Sequence, residues 1–343
     1  MSQLLSASPV IPYIILVIGF ILLVKGADYF VEGCSGIAKL FHIPSIIIGL
    51  TVAAFGTSAP EAAVSITSSL KGANAMAVSN VVGSNIFNLL IVVGICAVIK
   101  PVKVTADIIK RDYPVCISVT VLMILLSTGF FLNGFKAGVL NRVYGLILLI
   151  LFILYLAILV NSTLKNRKEL IETDDSDVSD KISIPKSLLF VAAGLTAIVF
   201  GGDFVVDSAV EIARSLGMSD TLIGLTIVAM GTSLPELVTS IAASKKGEND
   251  IAVGNVVGSN IFNILFVLGM SAVVCPIDLS AITNPMFTLY DMIILLTVTV
   301  IVNIFILIKR NINRLEYNVR FLYGLYNYKI KHQIVLYDRL EDI

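Results

Sequence analysis

The chain has 343 residues, 57% of them hydrophobic and 14% charged, with a mean hydropathy of +0.95. A soluble globular domain carries about 25% charged residues, so this composition excludes one and indicates a membrane protein. Lysine plus arginine (24) balances aspartate plus glutamate (24), which leaves no excess charge to attract nucleic acid or an acidic partner.

Met1 to Pro9 contains no lysine or arginine and so lacks the basic n-region of a cleaved signal peptide. The first apolar run is therefore expected to stay in the membrane. A helix needs about 20 mainly apolar residues to cross the hydrocarbon, and the pattern predicts spans at 11–33, 44–70, 76–99, 113–132 and 138–160. Four more follow at 187–212, 221–244, 250–274 and 286–308. Between the two sets, the polar stretch 161–185 carries Glu169, Glu172, Asp174, Asp175, Asp177 and Asp180 and reads as a solvated linker. A tenth helix is expected near 314–334, where Asn318, Arg320, Asn327, Lys329 and Lys331 interrupt the apolar run at a cost in the bilayer centre. That segment is expected to span, or to be short, amphipathic or interfacial. Cys34, Cys96, Cys116 and Cys275 are scattered without a CxxC pair and read as packing residues, not as disulfides or zinc ligands.

Gly49 to Gly94 aligns without a gap on Gly224 to Gly269 at an offset of 175, with roughly 29 of 46 positions identical. The similarity continues upstream, where Gly26, Asp28, Glu32 and Ala38 face Gly201, Asp203, Asp207 and Ala213. The chain thus divides into a first five-helix repeat at 1–160, a linker at 161–185 and a second repeat at 186–343 with a degenerate last helix. Five is odd, so the second repeat enters the bilayer from the opposite face and the repeats are inverted. The fold expected is an all-α membrane protein of about ten transmembrane helices. Basic residues cluster in alternate loops, among them Lys100, Lys103, Lys110, Arg111, Lys165, Arg167, Lys245, Lys246, Lys309 and Arg310, which places the N-terminus outside and the acidic linker in the cytoplasm.

The repeat core reads GLTVAAFGTSAPEAAVS from Gly49 and GLTIVAMGTSLPELVTS from Gly224, each followed by NVVGSNIFN, at Asn80 and Asn255. Pro60 and Pro235 have no N–H and crowd the carbonyl four residues back, freeing carbonyls near Gly56 and Gly231, so each helix must break there. Broken helices in paired repeats point to an ion or substrate site at the bilayer midplane. Directly after each break stands a carboxylate, Glu61 or Glu236, with no lysine or arginine at matching depth. Such residues are either protonated or neutralised by bound cations. Flanked by Thr57, Ser58, Thr232, Ser233 and freed carbonyls, they form an all-oxygen set suited to a hard cation such as calcium, whereas zinc or copper would call for His or Cys. Ser84 and Asn88, like Ser259 and Asn263, lie four residues apart on one helix face and can complete the site. Asn85 and Asn260 read as cross-helix hydrogen-bonding residues, and Asp28, Glu32, Asp203 and Asp207 as solvated charges or charges at the mouths of a pathway. Small residues alone could serve close packing, but two copies of the Pro-Glu break in inverted halves argue against a packing role only.

At these residues the chain resembles the calcium/cation antiporter superfamily, specifically prokaryotic sodium/calcium exchangers, over nearly its whole length from Val10 to about Lys309. The resemblance implies the exchanger fold, in which the second and third helices of each half form the ion-binding core and the long first and sixth helices slide against it. It implies an integral protein of the prokaryotic inner membrane. By motif position it puts the calcium ligands on the side chains of Glu61 and Glu236 and the carbonyls of Thr57 and Thr232. Sodium sites fall on Ala54, Ser58 and Ser84 and on Ala229, Ser233 and Ser259, with Asn88 and Asn263 in the remaining central positions. The family's well-studied members carry an aspartate where this chain has Asn263, so the three-for-one exchange of that family does not carry over directly.

The function expected is secondary antiport of calcium against sodium by alternating access, with both ions bound as substrates and no cofactor. No GxxxxGK[ST] motif is present to hold a nucleotide. Proton- or potassium-coupled exchange is the alternative. A passive channel would need weak, multi-site binding, and an enzyme would need a nucleophile and pocket that the sequence does not offer.

Overall fold

A computed structural model of the chain describes residues 10–41, 43–100, 102–104, 106–128, 138–173, 184–218, 227, 229–279, 285–309 and 311–312. In chain order the helices are α1 (Ile11–Leu40), α2 (Ser45–Thr57), α3 (Ala59–Leu70), α4 (74–99), α5 (108–127), α6 (Arg142–Thr173), α7 (Ile184–Ser215), α8 (Ala229–Gly231), α9 (Leu234–Lys246), α10 (249–274) and α11 (Pro285–Lys309). Each of the nine expected spans contains helix among the described residues, but the fifth, read as 138–160, is helical only from Arg142, its first residues forming a short strand at Val139–Leu140. The tenth, at 314–334, lies outside the described residues. Among the described residues, six helices are long and apolar enough to cross a membrane, and α2 with α3, bent by 48° at their junction, makes a seventh if the pair is one span. Helix α6 runs on to Thr173, so the first part of the segment read as linker is helical.

Two short antiparallel ladders join the halves. β1 (Val102–Lys103) pairs with β4 (Asn311–Ile312), and β2 (Val139–Leu140) pairs with β3 (Ile277–Asp278), in the register Val139↔Asp278 and Leu140↔Ile277. Residues 102–103 and 277–278 are equivalent at the repeat offset, so one ladder is the counterpart of the other on the opposite side of the repeat axis.

Helices α4 and α10 form the centre: 72% and 83% of their most apolar stretches are buried, against 39% for α1 and 28% for α7. The largest apolar cluster surrounds them, with Val81, Leu89, Val256, Ile264 and Leu268 from the two helices and Met123, Leu148 and Met292 from α5, α6 and α11. Helices α1 and α7 form a second layer, and their close approach follows from glycines at every seventh position. A Cβ added at Gly19, Gly26 or Gly33 would meet the backbone oxygen of Gly201, Gly194 or Ser187 at 3.0, 2.9 or 2.7 Å. The sequence numbers rise on one helix as they fall on the other, so α1 and α7, equivalent members of the two repeats, run antiparallel. That is the inversion expected from the odd helix count. Backbone-to-backbone packing of this kind replaces the hydrophobic drive that is missing between helices in lipid.

Candidate cation site

The residues of the repeated motif meet where the two broken helices cross α4 and α10. At the first break Ser58 leaves helical geometry (φ −85°, ψ 9°), and Pro60 opens α3 one residue before Glu61. Ser233 (φ −91°, ψ 4°) and Pro235 do the same before Glu236. Proline in the first turn of the new helix costs nothing there, because its missing N–H would have no helical partner. The glutamate that follows is thereby fixed at a helix N-terminus, where the unpaired N–H groups favour negative charge. Helix α2 is itself underwound into a π segment at Gly49–Ala53, and π segments at Asn88–Val92 and Asn263–Leu268 begin at the two asparagines of the motif. Insertions of this type recur at functional sites.

Every side chain of the central set is buried: Thr57, Ser58, Glu61, Asn88, Ser233, Glu236, Ser259 and Asn263 have no exposed surface, and Ser84 retains 1%. Glu61 Oε1 accepts hydrogen bonds from Ser84 of its own repeat (3.3 Å) and Ser233 of the other (3.1 Å). Glu236 Oε1 accepts from Ser259 (3.4 Å) and from Ser58 across the repeat boundary (2.7 Å). Each carboxylate is thus tied to a serine of the opposite repeat. Asn88 and Asn263 stand one helical turn along from Ser84 and Ser259 on the same helix faces.

Among the described residues, four oxygen atoms in this cluster find no hydrogen-bond donor: Oε2 of Glu61, Oε2 of Glu236, Oδ1 of Asn88 and Oδ1 of Asn263. They are two repeat-related pairs. Ion pairs among the described residues join Arg111 to Asp112, Arg214 to Glu211 and Lys246 to Glu32, and none reaches Glu61 or Glu236. A buried carboxylate oxygen without donor or counter-charge is costly, so the arrangement can hold cations through hard oxygen atoms.

The other sequence-predicted residues fall around this set. The Ala54 carbonyl accepts from the Ser58 N–H (3.0 Å) and lies 3.5 Å from Ser259 Oγ. Ala229 opens α8, and its side chain lies outside what is described. Thr57 donates to Asn255 Oδ1 (3.1 Å) and Thr232 to Asn80 Oδ1 (3.4 Å), so both hydroxyls tie a break to the opposite repeat. The sequence reading did not single out Asn80 and Asn255. Their amides donate to the Glu61 and Glu236 carbonyls at 3.2 and 3.4 Å and to Ser65 and Ser240 at 2.9 and 3.1 Å, anchoring each break from behind. Their place as the first residue of both NVVGSNIFN segments was the available signal. Asp203, Asp207 and Glu32 are exposed on the outer helices.

The sodium/calcium exchanger protein family matches residues 11–161 and 186–327 of the chain. A sodium/calcium exchanger of Methanosarcina acetivorans, MaX1, is 33% identical over 320 residues, covering 84% of this chain and 91% of that one. The inner membrane protein YrbG of Escherichia coli is 38% identical over 268 residues, with coverage of 76% and 79%. Among solved structures, the sodium-calcium exchanger NCX_Mj soaked with sodium and calcium superimposes with a TM-score of 0.77 at 30% identity, over 93% of this chain and 97% of that one. The chain belongs to the sodium/calcium exchanger family, and is an integral membrane transporter that exchanges cations, not an enzyme.

Proposed function

We propose that the chain exchanges calcium for sodium by alternating access at one central site. The observation that carries this reading is the set of four buried oxygens on Glu61, Glu236, Asn88 and Asn263 that find no hydrogen-bond donor and no ion-paired basic side chain among the described residues. Calcium is coordinated by the Glu61 and Glu236 carboxylates with the Thr57 and Thr232 carbonyls. Sodium draws on Ala54, Ser58 and Ser84 in one half and on Ala229, Ser233 and Ser259 in the other, with Asn88 and Asn263 between them. Calcium and sodium compete for the same two carboxylates, so the loaded forms cross and the empty form, with two unpaired charges in low dielectric, does not. Exchange of conformation between the inverted repeats 1–160 and 186–343 turns an inward opening into an outward one. The N-terminus lies outside and the 161–185 segment inside a prokaryotic inner membrane.

Radiolabelled calcium uptake into proteoliposomes loaded in turn with sodium, potassium or acid tests the coupling ion. Uptake driven by outward sodium is expected. Uptake driven only by protons would replace sodium in the cycle, and uptake without any counter-ion gradient would indicate a channel. Glu61→Gln and Glu236→Gln are each expected to abolish exchange, and full activity in either variant would remove the site assignment.

A further inference from the structure

The tight seam between α1 and α7 ends at Gly33, where an added Cβ would lie 2.7 Å from the Ser187 carbonyl, and seven residues on stands Leu40 in place of a glycine. Past the seam, a cavity of about 410 Å³ lies between the end of α1, the start of α7 and the α9–α10 turn. That volume is in the range of small-ligand sites. None of the residues proposed above to hold cations lines it.

Three lysines and two glutamates converge on this cavity: Lys39 and Glu32 from α1, Lys186 from α7, and Lys246 and Glu248 from the end of α9 and its turn. Lys246 is engaged, 4.0 Å from Glu32 and donating to the Asp28 carbonyl, and Glu248 accepts from Ser35 at 2.6 Å. Lys186 stands over the Phe190 ring, 5.0 Å from its centroid. Among the described residues neither Lys186 nor Lys39 is paired with an acid. Three positive charges against two negative ones leave an excess of one. A single lysine at a helix end is ordinarily there to reach water along its own stem. That does not account for three lysines from separate elements facing one cavity.

The excess calls for an anion, and lysine meets phosphate as a point charge. The surroundings select the source. From Lys186, one face of α7 continues through Leu189, Phe190, Ala193 and Phe200 at helical spacing, and Leu189, Ala193 and Phe200 are exposed. Tyr29 of α1 packs beside Phe190 with ring centroids 5.2 Å apart, as aromatic residues do at headgroup level. A basic cavity that leads onto exposed apolar surface fits a headgroup with acyl chains, not a free anion.

We propose that this cavity binds the headgroup of an anionic phospholipid, with its phosphodiester between Lys39 and Lys186 and its chains along the Leu189–Phe200 face. Basic pockets between membrane helices are suited to such headgroups. One phosphodiester cancels the excess charge, whereas a zwitterionic lipid, which brings its own ammonium group, leaves it. The walls come from α1, α7 and the α9–α10 turn, so a bound lipid ties the outer helix pair to the central bundle and stabilises this conformation. The inference does not depend on which ions are exchanged.

The test is the thermal midpoint of the full chain in neutral detergent, titrated with phosphatidylglycerol, phosphatidylcholine or inorganic phosphate. A saturable rise with phosphatidylglycerol alone is expected. No saturable rise, or an equal rise with phosphatidylcholine, overturns the proposal, and an equal rise with inorganic phosphate overturns the lipid as occupant. Lys39→Gln and Lys186→Gln are each expected to raise the half-saturating concentration of phosphatidylglycerol about tenfold, the scale of one hydrogen bond to a charged group. Lys186→Arg keeps the charge and is expected to retain most of the binding. Lys71→Gln, outside the cavity, is expected to leave the half-saturating concentration unchanged. If Lys71→Gln shifts it as much as the cavity variants do, or if neither cavity variant shifts it, the lipid responds to overall surface charge and the site is removed.

Discussion

At the scale of single residues, the candidate site is marked by hydroxyls that cross between repeats. Ser58 serves the carboxylate of the second half and Ser233 that of the first, at 2.7 and 3.1 Å. A hydrogen bond to a charged group contributes about 1.5–3 kcal/mol. Ser58→Ala and Ser233→Ala are therefore each expected to weaken calcium binding by about ten- to a hundred-fold. Because the two contacts are repeat equivalents, the losses should be similar, which isothermal titration of the purified variants would check. A loss in one variant alone would mean that the carboxylates are not equivalent in the loaded site. The two glutamates and their serines were legible from the sequence because the motif is local and repeated. Which serine meets which glutamate was not, since that pairing exists only once inverted halves are folded against each other. The same holds for Asn80 and Asn255, whose partners include Thr232 and Thr57 of the opposite half.

At the scale of elements, Pro60 and Pro235 announced the two breaks, and the 48° bend between α2 and α3 lies where the proline and its freed carbonyl require it. The π segments were not legible, because an extra residue in a helical turn leaves no mark in apolar periodicity. One of them, Gly49–Ala53, is where α2 lies backbone to backbone on α10: a Cβ at Gly49 would stand 2.9 Å from the Ile251 carbonyl, and one at Gly258 2.7 Å from that of Leu50. The seven-residue glycine rhythm of α1 and α7 was present in the sequence but carries meaning only when the two helices are known to be partners. Gly26→Leu is expected to push α1 off α7, because its Cβ alone would come within 2.9 Å of the Gly194 carbonyl, which is backbone and cannot rotate aside. Overpacking of this kind costs about 1–3 kcal/mol. The measurement is the thermal midpoint of the detergent-solubilised protein, beside Leu22→Ala on the same helix as a control for general loss of packing. A midpoint unchanged by Gly26→Leu would mean that the seam is not a tight contact in the membrane.

For the whole molecule, inversion turns each contact on one membrane face into a prediction for the other. On one face the α9–α10 turn holds α1: Lys246 lies 4.0 Å from Glu32 and donates to the Asp28 carbonyl, and Ser35 donates to Glu248 at 2.6 Å. The repeat equivalent of Lys246 is Lys71, in the turn between α3 and α4, and those of Asp28 and Glu32 are Asp203 and Asp207 on α7. Here the symmetry is broken, for Lys71 and Asp207 make no ion pair among the described residues, and both are exposed. An exposed pair contributes only about 0–1 kcal/mol, as a contact must if it forms and breaks in every transport cycle. When the halves exchange conformation, Lys71 is expected to close on Asp207 while Lys246 leaves Glu32. Cysteines at 71 and 207, or at 246 and 32, joined by a short thiol-reactive bridging reagent, read this directly in vesicles. Conditions that raise bridging in one pair should lower it in the other, and either bridge should stop calcium exchange until it is cleaved. If both pairs bridge in parallel, or the 71–207 pair never does, the two faces do not alternate and the inverted repeats would have to work by some other motion.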